Sequence, residues 1–222
     1  MKRWLKQNRK TLVFLIGFAF FRTAMADWNP IPSGSMHPTL LEGDVVLVNR
    51  LAYDFKLPLT DICLLPIADP RRGDVVTFDS PKDGVRLIKR LVAIPGDIVE
   101  MRDERLFING VGAEYSDRRI TEERLDQRFT TPGIRQTERI AGNQRTVQLL
   151  PGVPAMRDFG PVTVAANHYF FLGDNRDDSA DSRYIGSVDR SLLIGRAHRV
   201  LVSADIEDHW QPRFARFGEP IR

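Results

Sequence analysis

"VRLIKRLVAI", Val85 to Ile94, is the stretch on which the reading of this 222-residue chain turns. Side chains of a β-strand alternate between faces, so Lys89 shares one face with Val85, Leu87, Leu91 and Ala93, while Arg86 and Arg90 lie opposite. One ammonium is thereby set on an apolar surface. Desolvation disfavours its charged form and lowers its pKa, which is how a lysine becomes a base near neutral pH. The blander reading is a lysine whose charge deters edge pairing or whose amine snorkels to water, and a bulge would invert the facing altogether.

Outward from this stretch, short or alternating apolar runs recur at "DVVLVNR", "DVVTFDS", "DIVEM", "RLFING", "PVTVAANHYFFL" and "GRAHRVLVS", separated by Gly, Pro and Asp. They predict a mainly β body. Three of the strands start with a Gly-Asp pair, at residues 43–44, 73–74 and 96–97, where glycine can take positive φ and aspartate can bond the local backbone. Residues 113–160 are more highly charged and loosely patterned. They are expected to form a smaller inserted, variable, β-rich subdomain whose charges make a solvated face. Arg72-Gly73-Asp74 reads as a strand-initiating turn, and Asp158-Phe159-Gly160 lacks the other kinase signatures.

Hydrophobic residues make up 42% of the chain, enough to bury a core. The formal charge of +3 is misleading, because Lys2, Arg3, Lys6, Arg9 and Lys10 supply five positive charges and leave −2 on the remainder. A nucleic-acid partner is therefore not expected. The single cysteine, Cys63, cannot form an intramolecular disulfide, and no close grouping of His, Cys and carboxylates suggests a metal.

The basic start is followed by "TLVFLIGFAFF", Thr11 to Phe21, then Arg22 and "TAMADW". One reading is a cleavable export signal ending in the A-x-A sequence at Ala24-Met25-Ala26, favoured by the shortness of the apolar run. The other is an uncleaved transmembrane helix reaching Trp28, with Trp28 at the interface. Either puts the positive start inside and the rest of the chain outside the cytoplasm.

Two further stretches carry hydroxyls. "PSGSMHPTL", Pro32 to Leu40, is a stiffened turn with two serines, and a serine nucleophile needs a base and donors for the oxyanion. His37 is expected to point away from Ser35, and His168, His198 and His209 could reach it only through tertiary folding, so a Ser-His-Asp triad stays open. "GDNRDDSADSRY", Gly173 to Tyr184, reads either as a solvated loop or as a fixed ion-pair network of Arg176 and Arg183 among aspartates, with Ser179 or Ser182 orienting a neutral amine.

Together the three stretches resemble bacterial signal peptidase I, the Ser/Lys-dyad membrane serine protease that removes signal peptides. "PSGSMHPTL" is similar to its serine box, "IKRLVAIPGD" to its lysine box and "GDNRDDSADSR" to its closing box, in the same order and with "RRGDVVTF" between the first two. The resemblance spans about residues 22–110 and 160–203. It implies that Ser35 is the nucleophile and Lys89 the general base, and that Ser33 and Ser35 form the oxyanion hole. Ser179 would hold the amine, Asp181 and Arg183 would brace the loop, and Ile31, Leu40 and Ile88 would line shallow pockets for alanine-sized side chains.

It further implies an acyl-enzyme, no cofactor or metal, and cleavage of exported precursors after A-x-A. The protein would be a monomer held in membrane lipid. Because the family places an Arg-Thr or Arg-Ser pair just outside its anchor, Arg22 and Thr23 turn the N-terminal reading toward a retained helix. The expected organisation is a cytoplasmic segment 1–10, a transmembrane anchor 11–28, and a catalytic antiparallel β domain of 29–112 and 161–222 on the periplasmic side of the inner membrane, interrupted by 113–160. Asp178 stands where the family has asparagine, a change expected to tune the site. A dedicated maturation protease of the same type, as for conjugative pilin, and a non-enzymatic peptide-binding module are the competing readings.

Overall fold

The computed structural model describes residues 4, 7–57, 60, 62–124, 129–206 and 208–221. Lys2, Arg3 and Lys6 of the expected cytoplasmic segment lie outside the described residues, as do the side chains of Arg22 and Thr23. After helix α1 (Arg9–Ala24) come β1 (Ala26–Pro30), β2 (Asp44–Asn49), β3 (Asp54–Lys56), β4 (Cys63–Pro66), β5 (Val75–Asp79) and β6 (Arg86–Ala93). Next are β7 (Ile98–Arg102), β8 (Arg105–Ile108), β9 (Val111–Gly112), β10 (Glu114–Arg124), β11 (Thr130–Ile140) and β12 (Asn143–Leu149). The chain closes with β13 (Phe159–Thr163), β14 (His168–Leu172), the short helix α2 (Ser182–Ile185), β15 (Val188–Asp189), β16 (Leu193–Asp205) and β17 (Gln211–Pro212). Strand is the dominant secondary structure among the described residues, as the apolar runs predict.

The expected transmembrane helix is not found among the described residues. Helix α1 has 16 residues, a rise of about 24 Å against the roughly 30 Å of a bilayer's hydrocarbon core. Among the described residues no helix is long and apolar enough to cross a membrane. The cause lies in strand pairing. Residues 26–28, expected to finish the anchor, are taken by β1, which pairs antiparallel with β2 from Ala26 opposite Asn49 to Pro30 opposite Val45. Trp28 therefore sits in a sheet, opposite Leu47.

The central sheet runs β1-β2-β16-β5-β6-β14-β15, with β17 added on β16. All of its pairings are antiparallel. The Gly-Asp pairs behave as turn chemistry requires: Gly43, Gly73 and Gly96 have φ of 84°, 95° and 87°. Each following carboxylate accepts from the amide three residues back, at Leu41, Arg71 and Ile94, over 2.9–3.0 Å. Strand β6 departs from simple alternation, because both of its faces are covered from Lys89 onward. On one side Val76, Phe78, Leu91 and Phe171 pack together; on the other Ile31, Met36, Leu40, Val46 and Val75 do so, with Ile88 against them. Val85, placed by alternation with the buried set, is 54% exposed just before the strand begins. A second sheet, β13-β7-β8-β9, packs Val99, Met101, Leu106 and Ile108 against Val92, Phe170 and Leu172.

Residues 114–149 form a three-stranded antiparallel sheet, β10-β11-β12. Arg118, Arg119 and Glu122 are exposed, in keeping with a solvated face. Glu123, Glu138 and Arg145 depart from that expectation and are buried.

Candidate active site

Three segments meet at the middle of β6, around Lys89 and Arg90. The turn Gly34–Met36 is a single 3-10 turn closed by the His37 amide on the Gly34 carbonyl at 2.9 Å, and it buries Ser35. Lys89, 54 residues further on and 3% exposed, donates from Nζ to Ser35 Oγ at 2.7 Å and to the Ile88 carbonyl at 3.1 Å. At such a separation a proton can pass directly between amine and hydroxyl. Burial brings the Lys89 pKa down to about 8, against the opposing pull of the Asp181, Asp178 and Asp174 carboxylates. At pH 7 the amine is mostly charged, with a neutral fraction of about a tenth, against about one in three thousand for an unperturbed lysine.

Ser33 Oγ lies 3.5 Å from Ser35 Oγ on the exposed side of the turn. No histidine bonds Ser35. His37 turns away and meets Glu42 at 2.6 Å, and His168 meets the Ala166 carbonyl. The triad left open by the sequence is absent among the described residues, and no group of three His, Cys, Asp or Glu among them could hold a metal ion.

The third segment, 173–183, holds the turn from behind. The Asn175 amide donates to the Ser35 carbonyl at 3.2 Å and its side chain to the Gly34 carbonyl at 3.1 Å. Thr39 Oγ1 donates to Asp174, whose two oxygens also take Arg90 in a fork of 2.8 and 2.6 Å. Lys89 and Arg90 thus occupy opposite faces of β6, one with its amine on a hydroxyl and the other wholly paired. Asp181 caps α2, accepts from the Gly173 amide at 2.9 Å, and takes Arg183 through Nε and Nη2 at 2.8 Å each. Gly173 has to be glycine: a Cβ there would come within 2.3 Å of Ser179 Oγ and 2.4 Å of the Ser35 carbonyl oxygen.

Ser179 is thereby packed beside the turn, 8% exposed, yet its hydroxyl has no hydrogen-bond partner and is not joined to Lys89. Ile31, Leu40 and Ile88 do come together under the turn. Ile31 and Leu40, however, are closed into the core at 3% and 0% exposure, leaving the half-buried Ile88 as the accessible member. Open clefts lie elsewhere, one lined by Arg102, Glu104, Tyr115 and Leu149, another by Thr39, Arg145, Arg216 and Ile221. Neither is lined by Ser35 or Lys89. A site that receives an extended peptide along a surface does not require a deep cavity.

The loop network differs in one respect from the sequence reading. Arg183 pairs within the loop, but Arg176 leaves it and forks onto Glu138 of β11 at 2.7 Å through both Nη atoms. Neither Glu138 nor its cross-strand neighbour Arg145 was singled out from the sequence. The available signal was parity: Glu138 shares a strand face with Ile134 and Ile140, and Arg145 with Val147 and Leu149, so charges stand in rows of apolar residues.

A family model described as "Signal peptidase, peptidase S26" matches residues 1–202. The chain is 35% identical over 238 aligned residues to signal peptidase I of Pseudomonas fluorescens, covering 96% of this chain and 81% of the relative. It is 33% identical to signal peptidase I of Pseudomonas aeruginosa, with the same coverage. A crystal structure of a signal peptidase I from Enterococcus faecalis is 32% identical, covers 59% of this chain and 97% of that one, and overlays with a TM-score of 0.35.

Proposed function

The chain belongs to the signal peptidases of family S26, serine endopeptidases that act on signal-peptide-bearing precursors, and from that premise we propose that its Ser35 and Lys89 form a Ser/Lys catalytic dyad. The observation that carries the proposal is the 2.7 Å contact between the Ser35 hydroxyl and a lysine amine that is 3% exposed. Neutral Lys89 Nζ takes the Ser35 proton as Oγ attacks the scissile carbonyl carbon. The oxyanion accepts from the Ser35 amide and the Ser33 hydroxyl, which the 3.5 Å approach of Ser33 to Ser35 supports.

As the carbon–nitrogen bond breaks, the Lys89 ammonium returns its proton to the leaving amine. That leaves the signal peptide's carboxyl carbon esterified to Ser35 and Lys89 neutral again. Lys89 then deprotonates a water, which attacks the ester and restores the Ser35 hydroxyl. The unpartnered Ser179 hydroxyl, buried beside the turn, is available to orient either the amine or that water, while Asp181 and Arg183 keep the loop in place.

Preference for small side chains, as in A-x-A, follows from a site whose Ile31 and Leu40 are already filled into the core, so that Ile88 offers only a shallow wall. On this reading 29–112 and 161–222 act as the catalytic β unit and 113–160 is inserted into it. The test is cleavage of a precursor by purified variants, together with labelling by an acylating serine inhibitor. Ser35→Ala and Lys89→Ala are each expected to lose about 10⁴-fold or more in kcat, and the wild-type label is expected on Ser35 at one per chain. Undiminished cleavage by Lys89→Ala would remove the lysine from the mechanism.

A further inference from the structure

Glu138, at 0% exposure, has both carboxylate oxygens doubly engaged. Oε1 takes Arg176 Nη2 and Arg145, while Oε2 takes Arg176 Nη1 and the Tyr115 hydroxyl at 2.7 Å. Arg176 passes this anchorage on. Its Nε donates to the Gly173 carbonyl at 3.2 Å, its amide donates to the Gln148 carbonyl at 2.8 Å, and its carbonyl accepts from Arg183 Nη2 at 2.5 Å. The Gln148 amide completes the join by donating to the Asp174 carbonyl at 2.8 Å. The residues so held, 173–176, include Asn175, whose amide and side chain grip Ser35 and Gly34. An unbroken chain of short polar contacts thus runs from the C-terminal end of β11 to the backbone of the serine.

We propose that Glu138 is a positioning residue for the proteolytic reaction. Through Arg176 it fixes the loop that sets Ser35 against Lys89, so the inserted three-stranded sheet is a working wall of the site. The inference rests on the Ser35–Lys89 reading above. A buried carboxylate with two guanidiniums is a poor way to gain stability, since apolar side chains of similar volume serve as well or better. Its distinctive property is geometric, because a two-pronged guanidinium–carboxylate fork fixes direction as well as distance. Catalysis is sensitive to direction: a misplacement of about 1 Å can cost about 10²-fold in rate.

The experiment compares Glu138→Gln and Glu138→Asp with wild type in the full chain, using a signal-peptide-bearing precursor. It reads kcat, KM, the pH dependence of kcat/KM, and the folded fraction by circular dichroism. Glu138→Gln, which keeps the shape and loses the charge, is expected to drop kcat about 100-fold with KM within about twofold. Glu138→Asp, which keeps the charge one methylene short, is expected to drop it roughly tenfold.

In both variants the acid limb of the pH profile is expected to move to higher pH, because a loosened loop lets water reach the amine. If Glu138→Gln does not fold, Glu138→Asp decides. Folded variants with wild-type kcat and an unmoved acid limb overturn the proposal, as does a loss of activity that merely follows the unfolded fraction. Failure of the dyad itself is told apart by Ser35→Ala: if that variant still cleaves, the reading of the site falls whatever Glu138 does. If it is dead while the Glu138 variants behave as wild type, only the positioning role falls.

Discussion

The central sheet and the three-stranded sheet each bury an ionisable group, and they treat it in opposite ways. Around Lys89 there is little compensation: the amine touches a hydroxyl and a carbonyl, the carboxylates that favour its charge act without a hydrogen bond to it, and burial brings it down to about 8. Burial would push the Glu138 carboxyl up, but Arg145 and Arg176 outweigh it and hold the group at about 2. Desolvation is common to both; what differs is whether a formal countercharge sits in contact. Where it does not, the group is poised near neutral pH and can exchange a proton. Where it does, the group stays charged and serves as a fixed point.

That contrast can be broken most easily by removing each group in turn. Glu138→Gln leaves two buried guanidiniums without their carboxylate and is expected to destabilise the fold by about 3–5 kcal/mol at pH 7, read by denaturant unfolding. The sign with pH follows from the lowered value. Glu138's contribution is present above its ordinary 4.5 and is lost as pH falls toward about 2, so wild type should weaken across that window and the variant much less.

Lys89→Met should do the reverse, abolishing cleavage while raising stability by roughly 1–3 kcal/mol. Below about 8 the amine is charged in both the folded and the unfolded chain, and the full cost of burying it is present. Between about 8 and 10.5 that cost is relieved, because only the unfolded chain still holds the proton, and the advantage of methionine should fade. A Lys89→Met protein less stable than wild type at pH 7 would mean that the amine is not strained by burial.

The smallest expected effect sharpens the comparison within the site. In wild type, kcat/KM should rise with pH through about 8 as Lys89 becomes neutral. Asp178, exposed on the loop, favours the charged form of that amine. Asp178→Asn is therefore expected to move the acid limb downward by roughly a few tenths of a pH unit. An unmoved or upward-shifted limb would show that its charge is screened from the site.

Much of this was legible in the linear chain, and the exceptions share a cause. The strands, the Gly-Asp turns and the turn that carries Ser35 are local properties, written in alternation and in glycine and proline placement. Sequence parity put Lys89 on an apolar face, but it also put Arg90 opposite as though the far face were open. Folding instead covers both faces and pairs Arg90 with Asp174. The apolar run ends at Phe21, and the anchor is carried on to Trp28 because a tryptophan suits a membrane interface and the family resemblance favours a retained helix. The pairing partner that claims residues 26–30 is β2, fourteen or more residues downstream of the strand it captures.

By itself, then, the sequence determined the mainly β character and the family, and it singled out Ser35 and Lys89 as candidates for chemistry, since each is carried by a contiguous motif and its neighbours. Only the tertiary structure decided that Nζ and Oγ, 54 residues apart, meet at 2.7 Å, that Arg176 anchors on Glu138, and that the N-terminal helix stops at Ala24. The physical reason is that periodicity records which way a side chain faces along its own strand. What it meets there is set by packing between distant segments, and it is that meeting which fixes desolvation, countercharge and reactivity.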